Sequence, residues 1–330
     1  MQPCQPKLVA VSGDALARAA DVIRAGGLVG MPTETVYGLA ADATNGEAVA
    51  RIYEAKGRPS FNPLIAHVPS LPAAGEVGEI KGIGLKLAEA FWPGPLTLVL
   101  RKATGCKVSS LATAGLETVA VRVPSHEVAR ALLEAAGRPV AAPSANRSGH
   151  VSATTAGHVL ADLGDTIDLV LDAGPCAAGV ESTIIDATGD APVLLRPGAL
   201  TVEAIEEAIG IMPAAPGQAD GTGRPTAPGQ LLSHYAPGLP VRLDAAYPRH
   251  GEAFLAFGPY APAYDGPLLN LSRRGDLVEA AACLFDALRR LDRSGARGVA
   301  VMSIPEHGLG RAINDRLRRA AAPRPDCGAR

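Results

Sequence analysis

Apolar positions recur along the chain at two alternating spacings. "ALARAADVIRAGG" carries them at helical spacing and stops at a double glycine, whereas "LVGMPT" is a short apolar run that ends at a proline. The same reading makes "EAVARIYEAKG" a helix ending at Gly57, "PLIAHV" a strand, "GIGLKLAEAFW" a helix stopped by "PGP", and "LTLVLR" a strand. "TVAVRVP" alternates as a strand, "EVARALLEAAG" is helical, and "PVAAPS", "STIID" and "PVLLRPG" read as strands. "TVEAIEEAIG" is a helix with Thr201 as its cap. Helices interleaved with strands predict an α/β domain built on a sheet, in an order too irregular for a purely parallel array.

The pattern changes after residue 210. Residues 211–240 are rich in Pro, Gly and Ala and read as a linker, although "LLSHYAP" sets a Ser, a His and a Tyr inside them. From 241 the alternation returns, with "VRLD", "AFLAFG", "PLLNLS" and "GVAVMSIP" as strands and "GDLVEAAACLFDALRRLDRSG" and "GLGRAINDRLRRAAA" as helices. The expected organisation is residues 1–210 as one domain, 211–240 as a linker and 241–330 as a smaller α/β domain with a frayed tail.

A chain of 330 residues is long enough for two cores, and a hydrophobic content of 47% suits packed domains. Aromatics are only 4%, so those cores rest on Ala, Val, Leu and Ile. A net charge of −2 gives no bulk attraction to nucleic acid or membrane, so any anion site must be a local basic cluster. The five cysteines are scattered without a CxxC, which argues against a zinc site or a disulfide framework and for a reducing cytoplasm. There is neither a signal-peptide apolar run nor a stretch long enough for a membrane helix.

Candidate chemistry sits beside the predicted strands. "MPTETVYGLAADA" leaves a strand at Pro32 and offers Thr33, Glu34 and Thr35, either as ligand oxygens or as a helix cap. "KGRPSFNPLIAHV" gathers Lys56, Arg58, Asn62 and His67 on a segment broken by two prolines, able to meet an anion at several heights. Arg122 lies between Val121 and Val123 in an alternating strand, so it faces either inward, where it needs an anion, or out from the open face of the sheet. "PSANRSGHVSATT" is dense in small hydroxyls and amides, "GVESTIID" offers Ser182 and Thr183 beside Glu181, and "LLRPG" places Arg196 at a strand end. Such groups recur at strand ends, which predicts one pocket for a polyanion and a small polar molecule. No P-loop, complete dinucleotide fingerprint, GxSxG elbow or HExxH occurs, and His126, His150 and His158 follow no ligand spacing and read as surface residues.

The set "PTETVYGLAADA", "KGRPSFNPLIAHV", "WPGPLTLVL", "VRVPSH", "PSANRSG", "STIID" and "LLRPG" resembles, in order, the YrdC/Sua5 family of threonylcarbamoyl-AMP synthases. "LLSHYAP" followed by a small α/β unit is similar to its Sua5 branch. The resemblance implies a YrdC-like twisted mixed sheet with helices and a concave basic pocket, and a smaller Rossmann-like α/β C-terminal domain. It also implies a nucleotidyltransferase that makes threonylcarbamoyl-adenylate and diphosphate from L-threonine, bicarbonate or CO2, and ATP. The product would pass to a t6A-transfer complex acting on ANN-decoding tRNAs.

By the same resemblance, the Lys-x-Arg pair Lys56 and Arg58 would be catalytic, absorbing charge on the pyrophosphate. Thr35, His67, Arg122, Ala142 and Ser182 would hold threonine. Arg58, Asn62, Thr118, Ser144, Asn146, Ser152, Arg196, His234 and Tyr235 would hold ATP. Mg2+ would come with the nucleotide, no organic cofactor is implied, and the linker would serve as a lid that shields the carbamate from water. Two other readings compete. An RNA-binding module is disfavoured by the net charge and few aromatics, leaving at most weak tRNA contact. A carbamoyltransferase accessory is disfavoured by the lack of a Cys-rich stretch.

Overall fold

The computed structural model describes residues 7–215 and 234–323. The predicted frayed tail beyond 323, most of the linker and Cys4 and Cys327 lie outside the described residues. A ten-stranded mixed sheet organises the first two-thirds of the chain. Its strands are β1 (Leu8–Ala10), β2 (Val29–Met31), β3 (Gly38–Asp42), β4 (Ile65–His67) and β5 (Leu96–Arg101), then β6 (Thr118–Arg122), β7 (Val140–Ala141), β8 (Leu169–Asp172), β9 (Thr183–Asp186) and β10 (Val193–Arg196). They lie in the order β1-β8-β2-β3-β7-β4-β6-β5-β9-β10, with parallel and antiparallel neighbours intermixed.

Helices cover this sheet because each presents an apolar stripe to it. Helices α1 (Gly13–Arg24) and α5 (Glu127–Ala136) pack together through Ala19, Ala20, Ile23, Leu132 and Leu133. The larger core lies under α2 (Gly46–Lys56), the short α3 (Leu71–Gly75), α4 (Gly82–Phe91), α6 (Ala156–Leu163) and α7 (Val202–Ile209). Caps mark the ends as the residues predict. Thr201 accepts from Ala204 N at the start of α7, and Gly57 ends α2 in the left-handed region at φ 60°.

The C-terminal unit is a four-stranded parallel sheet of β11 (Val241–Arg242), β12 (Glu252–Ala256), β13 (Leu268–Asn270) and β14 (Gly298–Val301), in the order β11-β14-β12-β13. Helices α8 (Leu277–Asp292) and α9 (Gly310–Ala321) cover one face, where Leu284, Phe285, Ile313 and Leu317 meet Leu255 and Val301. The other face is closed by Ala261 and Tyr264. The helix-covered core continues into the first unit, since Val36, Val151 and Val180 belong to the same apolar cluster.

Candidate active site

Period-two alternation builds the site. On β6 the valines 119, 121 and 123 enter the main core, which turns Ala120 and Arg122 to the opposite face. On the parallel neighbour β4, His67 is the register partner of Arg122 and Ile65 that of Ala120. Ile65, Val99, Ala120 and Ile184 make a small apolar cluster on this face. A cavity of about 560 Å3, mouth included, opens over Ile65. The predicted residues Thr35, Arg58, His67, Arg122, Ala142, Ser144, Ser182, Arg196, His234 and Tyr235 all line it. They share one face of the sheet and its flanking loops, rather than only the strand ends that the sequence suggested.

Three buried arginines surround the cavity. Arg122 is the inward arginine of the alternating strand, and its anion is internal: its Nη2 lies 2.7 Å from Glu34 Oε1. Its Nη1 donates to Thr35 Oγ1 at 2.9 Å and its Nε to the Gly94 carbonyl at 3.3 Å. Burial opposes ionisation of Glu34, but the Arg122 charge and its hydrogen bonds outweigh it and hold the Glu34 pKa at about 2. Arg58 donates to the carbonyls of Asn62 at 3.3 Å and Pro63 at 3.0 Å. Burial lowers its pKa to about 10, so it stays charged at neutral pH. Arg196 reaches Ser182 O at 2.9 Å and Ser182 Oγ at 3.2 Å, and that hydroxyl also meets Thr97 Oγ1 at 2.8 Å.

Other predicted residues stand behind this wall. Lys56, at the end of α2, is not among the cavity-lining side chains. Its Nζ donates to the carbonyls of Ser144 at 2.6 Å and Asn146 at 2.5 Å, tying down the loop that bears the predicted nucleotide ligands. Burial and then the Arg58 charge push its pKa well below the ordinary lysine value. Asn62 and Asn146 are fully buried. Neither amide atom of Asn62, nor Asn146 Oδ1, has a hydrogen-bond partner among the described residues, a state that costs free energy until something supplies one. Ser152 donates to Glu181 Oε1 at 2.5 Å. Thr118 is not brought to the cavity: it begins β6 four residues from Arg122, about 13 Å away at strand rise.

The segment around His234 closes one side. The Ala236 amide donates to the Gly149 carbonyl at 2.9 Å, and Tyr235, at φ 60°, stacks on Phe285 with centroids 5.7 Å apart. The two cavity histidines are neutral. Burial, then the Arg122 charge, lowers the His67 pKa to about 3, and burial, then Arg58, does the same for His234. As a neutral ring, His67 donates from Nδ1 to the Ile65 carbonyl at 3.2 Å.

Of the two readings open for Thr33 and Thr35 one falls away, and one expectation about the histidines needs correction. Thr33 and Thr35 cap no helix. Thr33 Oγ1 instead donates to the Val36 carbonyl at 2.5 Å and accepts from the Thr35 amide at 3.2 Å, shaping the turn before β3. His158 is not a surface residue, because α8 packs over it and sets Asp286 Oδ1 3.4 Å from its Nε2; His126 is likewise half-buried, while His150 is exposed. Sequence reasoning also gave no role to Glu181, which lines the cavity, or to Arg289 and Arg316, which reach the site from α8 and α9. The available signal was helical spacing: Arg316 shares the apolar stripe of Ile313, Leu317 and Ala320.

A mixed-sheet α/β unit with an arginine-walled cavity, joined to a small parallel-sheet unit, defines the class, and comparison with known proteins identifies it. A family model for Sua5, YciO and YrdC proteins, described as telomere recombination, matches residues 21–198, and one described as the threonylcarbamoyl-AMP synthase C-terminal domain matches residues 200–322. A threonylcarbamoyl-AMP synthase of Bacillus subtilis is 41% identical, with 94% of this chain and 93% of that protein covered. A protein of the same name from Pyrococcus abyssi is 44% identical over 93% of this chain and 94% of its own. The crystal structure of P. abyssi Sua5 complexed with L-threonine superposes with a TM-score of 0.86 at 41% identity, covering 95% of this chain and 97% of that one. The chain belongs to the Sua5/YciO/YrdC family.

Proposed function

We propose that this protein is a threonylcarbamoyl-AMP synthase of the Sua5 type. It converts L-threonine, bicarbonate and ATP to threonylcarbamoyl-adenylate, diphosphate and water, or uses CO2 in place of bicarbonate with no water released, as a nucleotidyltransferase, for t6A modification of ANN-decoding tRNAs by a downstream transfer complex. The observation that carries this reading is the convergence of Arg58, Arg122 and Arg196 on one cavity. A carbamate attacking the α-phosphate brings two anions together, and fixed cations in a water-poor site offset that repulsion without reorganising.

The neighbouring groups support a division of labour. Arg122 presents a fork to the threonine carboxylate, with Thr35, neutral His67, Ser182 and the Ala142 backbone orienting the rest. Arg58 and Arg196 face the phosphates, while Asn62, Ser144, Asn146 and Ser152 serve the nucleotide. Lys56 acts by fixing the Ser144–Asn146 loop. Thr118 stands too far along β6 to share the threonine site and is proposed only for an extended part of the nucleotide.

Mg2+ is proposed to arrive with ATP. Glu181, which lines the cavity, and Glu34, which pairs with the lining Arg122, are each engaged by an arginine, and the described residues offer no group of three or more His, Cys, Asp or Glu able to hold a metal. The donor set fits an ion carried by the phosphates better than one held by this chain. Among the described residues no helix is long and apolar enough to cross a membrane.

Incubation with ATP, L-threonine and labelled bicarbonate tests the proposal. A labelled adenylate that depends on threonine is the expected product; labelled product without threonine, or none at all, would refute it. An RNA-binding role would instead show tight tRNA binding that survives added salt.

A further inference from the structure

The C-terminal unit meets the first unit through two buried arginines, one at the cavity wall and one at the loop behind it. Arg289 of α8 donates from Nε to the Ser152 carbonyl at 3.2 Å and from Nη2 to the Val151 carbonyl at 2.5 Å, and its fork meets Asp162 of α6 at 3.0 and 2.7 Å. Arg316 of α9, with no exposed side-chain surface, donates from Nε to Glu181 Oε2 at 2.7 Å. The other oxygen of Glu181 accepts from Ser152 Oγ at 2.5 Å. Ser152 is therefore held at its carbonyl by one C-terminal helix and, through Glu181, at its hydroxyl by the other.

The Arg316 guanidinium has a second use. Its Cζ lies 4.9 Å from the centroid of the Tyr235 ring, and that ring lines the cavity. Burial opposes ionisation of Glu181, but the charges of Arg316 and Arg196 keep it an anion. A carboxylate only accepts, so the Ser152 proton points to Glu181. The side chains of Thr35, His67 and Arg122 hydrogen-bond to Thr33, Gly94, Ile65 and one another, and that of Ser182 to Thr97 and Arg196; none of them bonds to Glu181 or Arg316.

We propose that Arg316 is a positioning residue for the nucleotide: through Glu181 it orients Ser152, and with its flat face it seats Tyr235. The C-terminal unit thereby completes the ATP side of the cavity and leaves the threonine side alone. This rests on the function proposed above and adds a task for the C-terminal unit.

The test uses the full-length protein, its Arg316→Lys and Glu181→Gln variants and the double variant, with KM for ATP and for L-threonine measured separately. Lysine keeps the charge but loses the fork, and glutamine keeps the shape but loses the charge. Each single variant is expected to raise the ATP KM about tenfold or more, leaving the threonine KM within about twofold. Because both act along one chain of contacts, the double variant should lose no more than the worse single variant. Parallel rises in both KM values, additive losses in the double variant, or an unchanged ATP KM in folded Glu181→Gln would overturn the assignment. Should Arg316→Lys fail to fold, Glu181→Gln decides alone. A wild-type protein that forms no threonylcarbamoyl-adenylate would instead remove the parent reading.

Discussion

Glu34 and Arg122 form a buried ion pair at 2.7 Å beside the cavity, with only 15% and 4% of their side chains exposed. The arginine that the proposed function assigns to a substrate carboxylate already has a carboxylate of its own. Its remaining nitrogens are held by Thr35 and Gly94, so the guanidinium plane is fixed before any ligand arrives. Glu34→Gln removes the charge and leaves Arg122 buried with a weaker partner. A loss of about 3 kcal/mol in unfolding free energy at pH 7 is expected, measured by urea titration. The sign with pH follows from the depressed carboxylate. Its contribution is complete above the usual value of 4.5 and is lost as pH falls toward about 2, and the Gln variant should lack that part of the acid slope.

The two buried histidines give a second acid dependence in a different window. His67 and His234 titrate at about 3 in the folded protein, against an ordinary 6.5. Between those values the unfolded chain binds protons that the folded chain refuses, so stability falls as pH drops below about 6.5. Each histidine contributes at most about 1.4 kcal/mol per pH unit. Unfolding midpoints measured from pH 7 to pH 5 should fall, and His67→Asn should flatten the curve. In the same range, kcat should show no inflection from these rings, because neither becomes charged.

Lys56 separates positioning from direct charge neutralisation. Its Nζ is spent on the Ser144 and Asn146 carbonyls rather than exposed in the cavity. Lys56→Ala strips two buried acceptors of their donor and leaves a void, for an expected cost of about 2–4 kcal/mol. The ATP KM should rise strongly, while L-threonine binding measured by calorimetry without nucleotide stays near that of the wild type. A threonine affinity that falls in parallel would mean that Lys56 serves the whole cavity.

Much of the site was legible from strand alternation. The valines of "TVAVRVP" put Arg122 on the face opposite their own, but that His67 stands beside it emerged only from the parallel register of β4 and β6. The strands "GLAAD" and "LVLD" escaped notice for a physical reason. β3 is buried at all five positions, so it has no alternation of buried and exposed residues to read. The internal partner of Arg122 was also hidden, because Glu34 sits in a turn where a carboxylate usually faces water. The role of the C-terminal unit was least visible. Its arginines resemble the solvated face of a basic helix until helical spacing places Arg316 in the apolar stripe, and no local pattern tells which carboxylate across a domain contact will meet it.

Tyr235 tests the lid expected from the linker. The ring is buried between Phe285 and Arg316 and also lines the cavity. Tyr235→Ala should lower unfolding free energy by about 3 kcal/mol through lost packing. If the segment shields a carbamate, the variant should also release more diphosphate per molecule of adenylate formed. An unchanged ratio in the folded variant would leave Tyr235 a packing residue only.

The contact between the two units can be probed at one atom. Gly179 stands at φ 70°, and a Cβ there would lie 2.3 Å from the Ala281 carbonyl oxygen and 2.5 Å from Ala282 Cα, both backbone atoms of α8. Gly174 has a similar φ of 79°, but its Cβ would meet nothing within 4 Å. The pair separates backbone strain from collision. Gly174→Ala pays only for the left-handed conformation, about 1 kcal/mol. Gly179→Ala carries the same strain and must also push α8 away, dragging Arg289 from the Ser152 and Val151 carbonyls. Its unfolding free energy should fall by about 3 kcal/mol or more, and its ATP KM should rise while that of Gly174→Ala does not. Equal behaviour of the two variants would mean that close seating of α8 on this loop does not matter to the nucleotide side.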